Sequence, residues 1–271
     1  MMRVDSCPSW GDYLSFDSET GRIVYQSFPA LTLASHLDLW IVRHAETFAN
    51  QKKILQGSDQ ENEDTVLSPE GEAQAAAVAD HLVRSLTRAE PGYQRISVLA
   101  SPARRTGQTA QFFLKKMRNI SPLACEYTEH SFLHEIRFGE ISGLTEEQVF
   151  KLGADYIHFA DRFRRRGDAL IRLNGGESFH DLLLRVRKGF SDWQSGLSLP
   201  VSREKTAVVL FTHMITASAL RVLLRDEGLL DVCQDTGLSF VNWRRIIQNA
   251  ECLIWDTKAR RMQLLAPVEG R

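Results

Sequence analysis

Leu37-Asp38-Leu39-Trp40-Ile41-Val42, followed at once by Arg43-His44 and then by Ala45-Glu46-Thr47-Phe48-Ala49-Asn50, is the stretch on which the reading of this chain turns. Six mostly apolar, β-rich residues make a short strand of the kind buried within a sheet, and it ends on two side chains that carry chemistry. Outward from it, strand-like segments recur at 96–100, 123–128, 207–212 and 252–255. Helix-like segments alternate with them. The first opens at Ser68-Pro69-Glu70, with serine as N-cap and proline at the first helical position, and runs through alanines to about residue 86. Others cover 103–117, 177–193 and 215–225. Such alternation predicts an α/β chain, a three-layer α/β/α sandwich around a mostly parallel sheet. The last apolar pair, 251–256 and 262–265, brackets a Lys-Ala-Arg turn and predicts a closing hairpin, hence an antiparallel edge.

Two regions depart from this alternation. Residues 1–36 read as an N-terminal extension, with a β-hairpin over 13–28 around Glu19-Thr20-Gly21; a partly disordered leader is the competing reading. Residues 37–271 form the main domain, interrupted at about 135–175 by an insertion with two short helices. That insertion carries Arg162, Arg164, Arg165 and Arg166, which read either as a solvated helix face or as part of a lid over an anionic substrate.

Bulk properties bound the function. The chain has 271 residues, 43% hydrophobic and 25% charged, with formal net charge -1, so it can bury a sizeable core. A near-neutral balance favours neither nucleic acid nor a membrane surface as partner, and no apolar run reaches the length of a membrane span. The N-terminus holds acidic and aromatic residues where a secretory leader needs an apolar stretch. Cys7, Cys125, Cys233 and Cys252 are scattered without a Cys-x-x-Cys pair, which points to reduced thiols and a cytoplasmic protein. No cysteine begins a Cys-x5-Arg pattern, so sulfur is not the expected nucleophile for phosphate chemistry.

In open α/β sheets, ligands bind beyond the carboxyl ends of the strands. Arg43-His44 follows the first strand of the main domain, and Ser101-Pro102-Ala103-Arg104-Arg105-Thr106 follows the second. Leu133-His134-Glu135 lies a few residues past the third, and His213 follows the fourth. Two histidines, arginine and a carboxylate therefore meet at one edge. That set suits phosphoryl transfer. Arginine's planar fork meets phosphate oxygens in pairs, a neutral imidazole attacks phosphorus, and a carboxylic acid protonates the departing oxygen and then activates water. His130, His134 and Glu135 do not follow the His-Glu-x2-His order of zinc hydrolases and have no evident third ligand, so neither metal nor cofactor is expected.

The residues 39–50 quoted above resemble the R-H-G-E-[ST]-x-x-N signature of the histidine phosphatase superfamily, which has the phosphoglycerate mutase-like fold. Further blocks resemble that family in the same order: Gln56-Gly57-Ser58-Asp59, Leu67-Ser68-Pro69-Glu70-Gly71 with Gln74-Ala75, and Ser101 to Ala110. Leu133-x-Glu135 with Phe138-Gly139 and Gly143, Gly175-Gly176-Glu177-Ser178, and Thr212-His213 complete the set. The resemblance implies His44 as nucleophile, Arg43, Arg105 and His213 as phosphate ligands, and Glu135 as general acid. It further implies phosphate or substrate contacts at Asn50, Gln56, Gly57 and Glu177. Family spacing selects Arg105 over Arg104. Ala45 and Met214 stand where the family has glycine after each histidine. Met214 is strained if its φ is positive, and otherwise narrows the substrate pocket.

The leading expectation is a metal-independent phosphatase acting on a small phosphorylated substrate, with a phosphoprotein as the other substrate class. A cofactor-dependent phosphoglycerate mutase is the alternative, although Glu135-Ile136-Arg137-Phe138-Gly139-Glu140 is unlike the E-R-x-Y-G loop of those enzymes. A catalytically silent interaction module on the same fold is the third reading, opposed by the intact Arg43, His44, Arg105, Glu135 and His213. Physiological substrate and oligomeric state are not encoded in any readable motif.

Overall fold

The computed structural model describes residues 14–17, 22–25, 30–58, 61–89, 92–121, 123, 125–161, 163, 169–197, 204–226 and 247–265. Cys7, Asp59, Arg162, Arg164, Arg165, Arg166 and Cys233 lie outside these residues. Near the N-terminus, β1 (Leu14–Asp17) and β2 (Arg22–Tyr25) pair antiparallel with Leu14 opposite Tyr25, the hairpin that 13–28 predicts.

The main sheet contains β3 (Leu37–Arg43), β4 (Arg95–Ala100), β5 (Cys125–Glu129), β6 (Thr206–Thr212), β7 (Cys252–Asp256) and β8 (Arg261–Leu264), in the spatial order β5-β4-β6-β3-β7-β8. The first four are mutually parallel, whereas β7 and β8 run antiparallel. This is the mostly parallel sheet with an antiparallel edge that the alternation predicts. Strand β5 begins two residues later than the apolar pattern suggests, because Ser121 Oγ accepts from Leu123 N (3.2 Å) in a local turn.

The helices are α1 (Phe48–Gln51), α2 (Pro69–Thr87), α3 (Arg104–Ile120), α4 (Glu146–Lys151), α5 (Ala154–Ala160), α6 (Phe179–Ser195) and α7 (Met214–Leu223). Strand alternation divides the core into two layers. Leu37, Leu39 and Ile41 of β3, with Val208 and Leu210 of β6, pack with Phe179, Leu183, Val186 and Phe190 of α6 and with Leu220 of α7. Trp40, Val42, Val209 and Phe211 face the other way, toward Leu82 and Leu86 of α2 and Phe113 of α3. Each fully buried aliphatic or phenyl side chain contributes about 1.5–3 kcal/mol, so these two layers carry the sheet. Helices on both faces make the three-layer α/β/α sandwich.

Register is what positions the site. Arg43 sits opposite Thr212 across the parallel β3–β6 pair, so the next residues, His44 and His213, leave the sheet side by side. Ala100 sits opposite both Phe211 and Glu129, which brings Ser101 and the chain after His130 to the same edge. Helix α2 starts against this edge. Ser68 Oγ accepts from Gly71 N (3.1 Å), and Ser68 N donates to Glu46 O (3.0 Å). A Cβ on Gly71 would lie 1.9 Å from that Glu46 carbonyl oxygen, so only glycine lets the helix approach the loop after His44.

Candidate active site

His44 is 4% exposed, and its ring Nδ1 lies 2.8 Å from the carbonyl of Ala45. Only a donor pairs with a carbonyl, so the proton sits on Nδ1 and Nε2 keeps its lone pair. The main chain around it is held from several sides. His44 N donates to Thr212 O (3.0 Å), while His44 O accepts from Asn249 Nδ2 (3.1 Å) and Ala250 N (3.3 Å). Ala45 N donates to Thr109 Oγ1 (3.1 Å), whose own hydroxyl donates to Arg105 O (2.7 Å). Thr109, part of the Ser101-to-Ala110 block, thus supports the loop after His44, and Asn249 is a member of that support that no sequence motif pointed to.

His213 is 1% exposed and its ring centroid stands 5.2 Å from that of His44. It precedes α7 in extended backbone, with φ -123°. Its Nε2 lies 2.9 Å from Ser101 Oγ, and that hydroxyl lies 3.2 Å from His134 Nδ1. Ser101 therefore couples two histidines that are far apart in sequence. His134 is tied to this relay and His130 to Thr128 Oγ1 (2.9 Å). Among the described residues, no group of three or more His, Cys, Asp or Glu side chains is placed to hold a metal ion.

The arginines frame the histidines. Arg105, at the start of α3, is 1% exposed, whereas Arg104 is exposed. Arg105 NH2 donates to Gly57 O (3.4 Å), and NH1 stands 3.6 Å from Glu61 Oε1. Arg43 NH1 donates to Ile247 O (3.0 Å). Beyond these contacts, among the described residues, Arg43 Nε, Arg105 Nε and NH1, and His213 Nδ1 are buried without a hydrogen-bond partner. A buried donor without a hydrogen bond is costly, and these four come from one cluster.

Burial pushes the pKa of His44 well below its ordinary value, and the charges of Arg105 and Arg43 add to this. His213 is lowered well below its ordinary value as well, by burial first and then by Arg105. Both arginines are lowered by burial against the pull of Glu135. The imidazoles are therefore neutral and the guanidinium groups supply the positive field.

Glu135 is 5% exposed and sits at the N-terminus of α7. Its Oε1 accepts from Ile136 N (3.0 Å) and Thr216 N (3.1 Å), while Oε2, among the described residues, accepts only from Ile215 N (3.0 Å). Burial raises its pKa, opposed by those backbone donors and by Arg105. Glu140, the other carboxylate of this loop, is exposed.

The remaining sequence candidates are placed differently from one another. Asn50 Oδ1 accepts from Thr47 N (3.0 Å) and Asn249 Nδ2 (3.2 Å), bonds that do not use its own amide nitrogen. Gln56 Nε2 donates to Thr47 Oγ1 (2.9 Å), so Gln56 braces the cap of α1, and Gly57 supplies a carbonyl to Arg105. Glu177 is committed elsewhere. Both its oxygens bind Arg185, through Nε (2.9 Å) and NH2 (2.9 Å), and Oε2 also accepts from Arg137 N (3.1 Å). Arg185 in turn donates to the carbonyls of Phe132 (3.0 Å) and His134 (3.2 Å), so the pair braces the segment carrying Glu135. Met214 opens α7 and φ is positive at neither Met214 nor Ala45, so neither residue is strained. The side chain of Met214 lines an apolar cavity.

Residues 39–262 match the model of the histidine phosphatase superfamily, branch 1. The chain is 33% identical over 150 residues to the broad-specificity phosphatase YOR283W of Saccharomyces cerevisiae, covering 55% of this chain and 54% of the relative. The chain thus spans about half the length of that curated relative. Among solved structures, mycobacterial glucosyl-3-phosphoglycerate phosphatase in complex with VO3 superposes with a TM-score of 0.59 at 25% identity, over 84% of this chain and 96% of that one. Bacillus stearothermophilus YhfR shares the fold, with a TM-score of 0.59 at 19% identity over 84% and 95% of the two chains. With its two histidines, two arginines and glutamate gathered at the carboxyl edge of a β5-β4-β6-β3-β7-β8 sheet, this chain belongs to the histidine phosphatase superfamily, branch 1.

Proposed function

We propose that the protein is a phosphatase that hydrolyses a phosphomonoester through a phosphohistidine on His44. The observation that carries this is the set of buried donors that make no hydrogen bond among the described residues, Arg43 Nε, Arg105 Nε and NH1, and His213 Nδ1, beside an imidazole whose free nitrogen is Nε2. A phosphoryl group satisfies those donors with its non-bridging oxygens, where charge spreads during transfer. Asn50 adds its amide nitrogen. In the first step the Nε2 lone pair forms the N–P bond as the P–O bond to the alcohol breaks, and Glu135 gives its proton to the leaving oxygen. Oε2, with its single partner among the described residues, is the oxygen that carries that proton. In the second step the Glu135 carboxylate takes a proton from water, whose oxygen attacks phosphorus as the N–P bond breaks. Phosphate leaves and both groups are restored.

Arg43 and Arg105 supply the positive charge and neutral His213 a hydrogen-bond donor, so the reaction requires no metal. Likeness to phosphatases supports hydrolysis over mutase chemistry, and a small phosphorylated molecule fits the recessed cluster better than a phosphoprotein. The insertion at about 135–175 acts as a lid, and the protein works in the cytoplasm. Release of phosphate from phenyl phosphate in the presence of a chelator, abolished in His44→Ala, is the expected result. Isomerisation of phosphoglycerate faster than its hydrolysis would replace this reading with the mutase. Failure to turn over any phosphomonoester would leave the silent module.

A further inference from the structure

Neutral His213 carries one ring proton, and its place decides what a phosphoryl group meets. On Nδ1 it is a donor to the anion; on Nε2 it leaves Nδ1 as a lone pair facing the same oxygens. The partner of the far nitrogen selects between the two. Here Nε2 lies 2.9 Å from Ser101 Oγ, and that hydroxyl also lies 3.2 Å from His134 Nδ1.

Ser101 is held firmly. It is fully buried, its amide donates to Phe211 O (3.0 Å), and its carbonyl accepts from Thr106 Oγ1 (2.7 Å). Ala103 N donates to Ser101 Oγ (3.3 Å) and takes one of the two hydroxyl lone pairs. The hydroxyl then has one proton and one lone pair left, to serve two imidazoles. One ring accepts and the other donates. The shorter contact gives the hydroxyl proton to His213 Nε2, which leaves His134 Nδ1 as the donor.

Main-chain bonds, in which its ring takes no part, place His134 for this. Its amide donates to Ser131 O (3.1 Å), and its carbonyl accepts from Thr216 Oγ1 (2.7 Å) and Arg185 NH1 (3.2 Å). Thr216 belongs to α7, the helix that His213 caps, so both ends of the relay share one frame. Burial pushes the pKa of His134 down, Arg185 and Arg105 add to this, and Glu61 and Glu177 oppose it. The ring is therefore neutral, with a single proton to place.

Resting on the phosphatase reading above, we infer that Ser101 and His134 are positioning residues. His134 Nδ1 donates to Ser101 Oγ, Ser101 Oγ donates to His213 Nε2, and His213 is thereby held with its proton on Nδ1, as a donor to the phosphoryl group. They act through His213 and not on the substrate. The reversed relay would turn His213 Nδ1 into an acceptor that repels phosphate.

The test uses the full chain with labelled histidine, and long-range proton–nitrogen correlation spectra that read the tautomer of each ring with inorganic phosphate bound. In the parent, His213 should carry its proton on Nδ1. In His134→Leu, which removes the ring nitrogens and keeps every main-chain bond, and in Ser101→Ala, His213 should become a mixture of tautomers. His44, tied to the Ala45 carbonyl, should keep its own. Affinity for inorganic phosphate and kcat/KM for phenyl phosphate should each fall about tenfold in His134→Leu, as for loss of one hydrogen bond to a charged group. His134→Asn, whose amide nitrogen replaces Nδ1 as donor, should return to within about threefold of the parent. A proton on His213 Nε2 in the phosphate-bound parent, an unchanged His213 tautomer in both relay variants, or His134→Asn no better than His134→Leu overturns the inference. The parent spectrum decides even where a variant does not fold. If esters are cleaved through His44 while His213 holds its proton on Nε2, the phosphatase reading stands and this inference falls. If phosphate binds with the expected tautomer but no ester is turned over, the phosphatase reading falls and the relay stands as an anion-binding device. If phosphate does not bind and no ester is turned over, both fall.

Discussion

Replacing Arg185 by methionine tests whether the Glu177–Arg185 pair holds the segment that carries Glu135, because methionine keeps the apolar stem and removes every donor. The guanidinium binds both oxygens of Glu177 at 2.9 Å and the carbonyls of Ser131, Phe132, His134 and Glu135 at 3.0–3.4 Å. Truncating one partner of a fully buried pair costs about 3–5 kcal/mol. Here Glu177 is 8% exposed but Arg185 retains 24%, so some solvation survives and about 2–4 kcal/mol is expected. For a chain of this size that lowers Tm by about 2–4 °C per kcal/mol. Glu177→Gln keeps the shape and loses the charge, for about 1–2 kcal/mol. In the double variant the stranded carboxylate is gone, so the sum of the single effects should exceed the double effect by about 1–2 kcal/mol. Arg185→Met should also lower kcat about tenfold, since Glu135 loses the brace on its main chain, with little change in KM. Thermal and urea melts of the four proteins, with steady-state kinetics, provide the data. An Arg185→Met stability within about 0.5 kcal/mol of the parent, or strictly additive variants, would refute the reasoning.

Ser101→Ala removes the hydroxyl between His213 Nε2 and His134 Nδ1; a kcat about tenfold lower and a changed pH profile are expected, whereas Ser101→Thr restores part of the rate. The pH dependence follows from opposite shifts: His44 is held well below 6.5 and Glu135 above 4.5. The acid limb of kcat/KM should therefore lie well below pH 6.5, and the alkaline limb should report Glu135 losing its proton; Glu135→Gln should remove that limb along with most activity. The same depressed histidines bind protons more readily when unfolded, so their stability contribution is full above pH 6.5 and is lost as pH falls below it. Urea melts between pH 5 and 7.5 would show it, and melts flat across that range would contradict it. Gly71→Ala should destabilise by about 1–3 kcal/mol, because its Cβ would collide with the Glu46 carbonyl at 1.9 Å; unchanged Tm and activity would show that the loop yields freely.

The elements of the sheet were legible because they rest on local pattern. The 207–212 and 37–42 runs are apolar enough to be central strands, and Ser68-Pro69 declares a helix start that the structure places at Pro69. Spacing separates Arg105 from Arg104, and the fold buries the first and exposes the second. What stayed hidden depends on juxtaposition. Nothing local shows that Ser101 will lie between His213 and His134, because that contact follows from Ala100 and Phe211 sharing a register. Glu177 reads as a site residue from its motif, yet its two oxygens are taken by Arg185, one helical face further on. Asn249, which clamps the main chain of His44 from 205 residues away, sits in a turn with no chemical signature. The apolar cavity was invisible for the same reason, since its walls come from five separated segments.

The central claim is a covalent bond between phosphorus and His44. Rapid mixing with an excess of labelled phosphomonoester, alkaline quench and peptide mass spectrometry measure it directly. The account predicts an acid-labile, base-stable phosphoryl group on the His44 peptide, forming before free phosphate and missing in His44→Ala. Phosphate released in a burst-free reaction, with no adduct on His44 or with label on another residue, would contradict it.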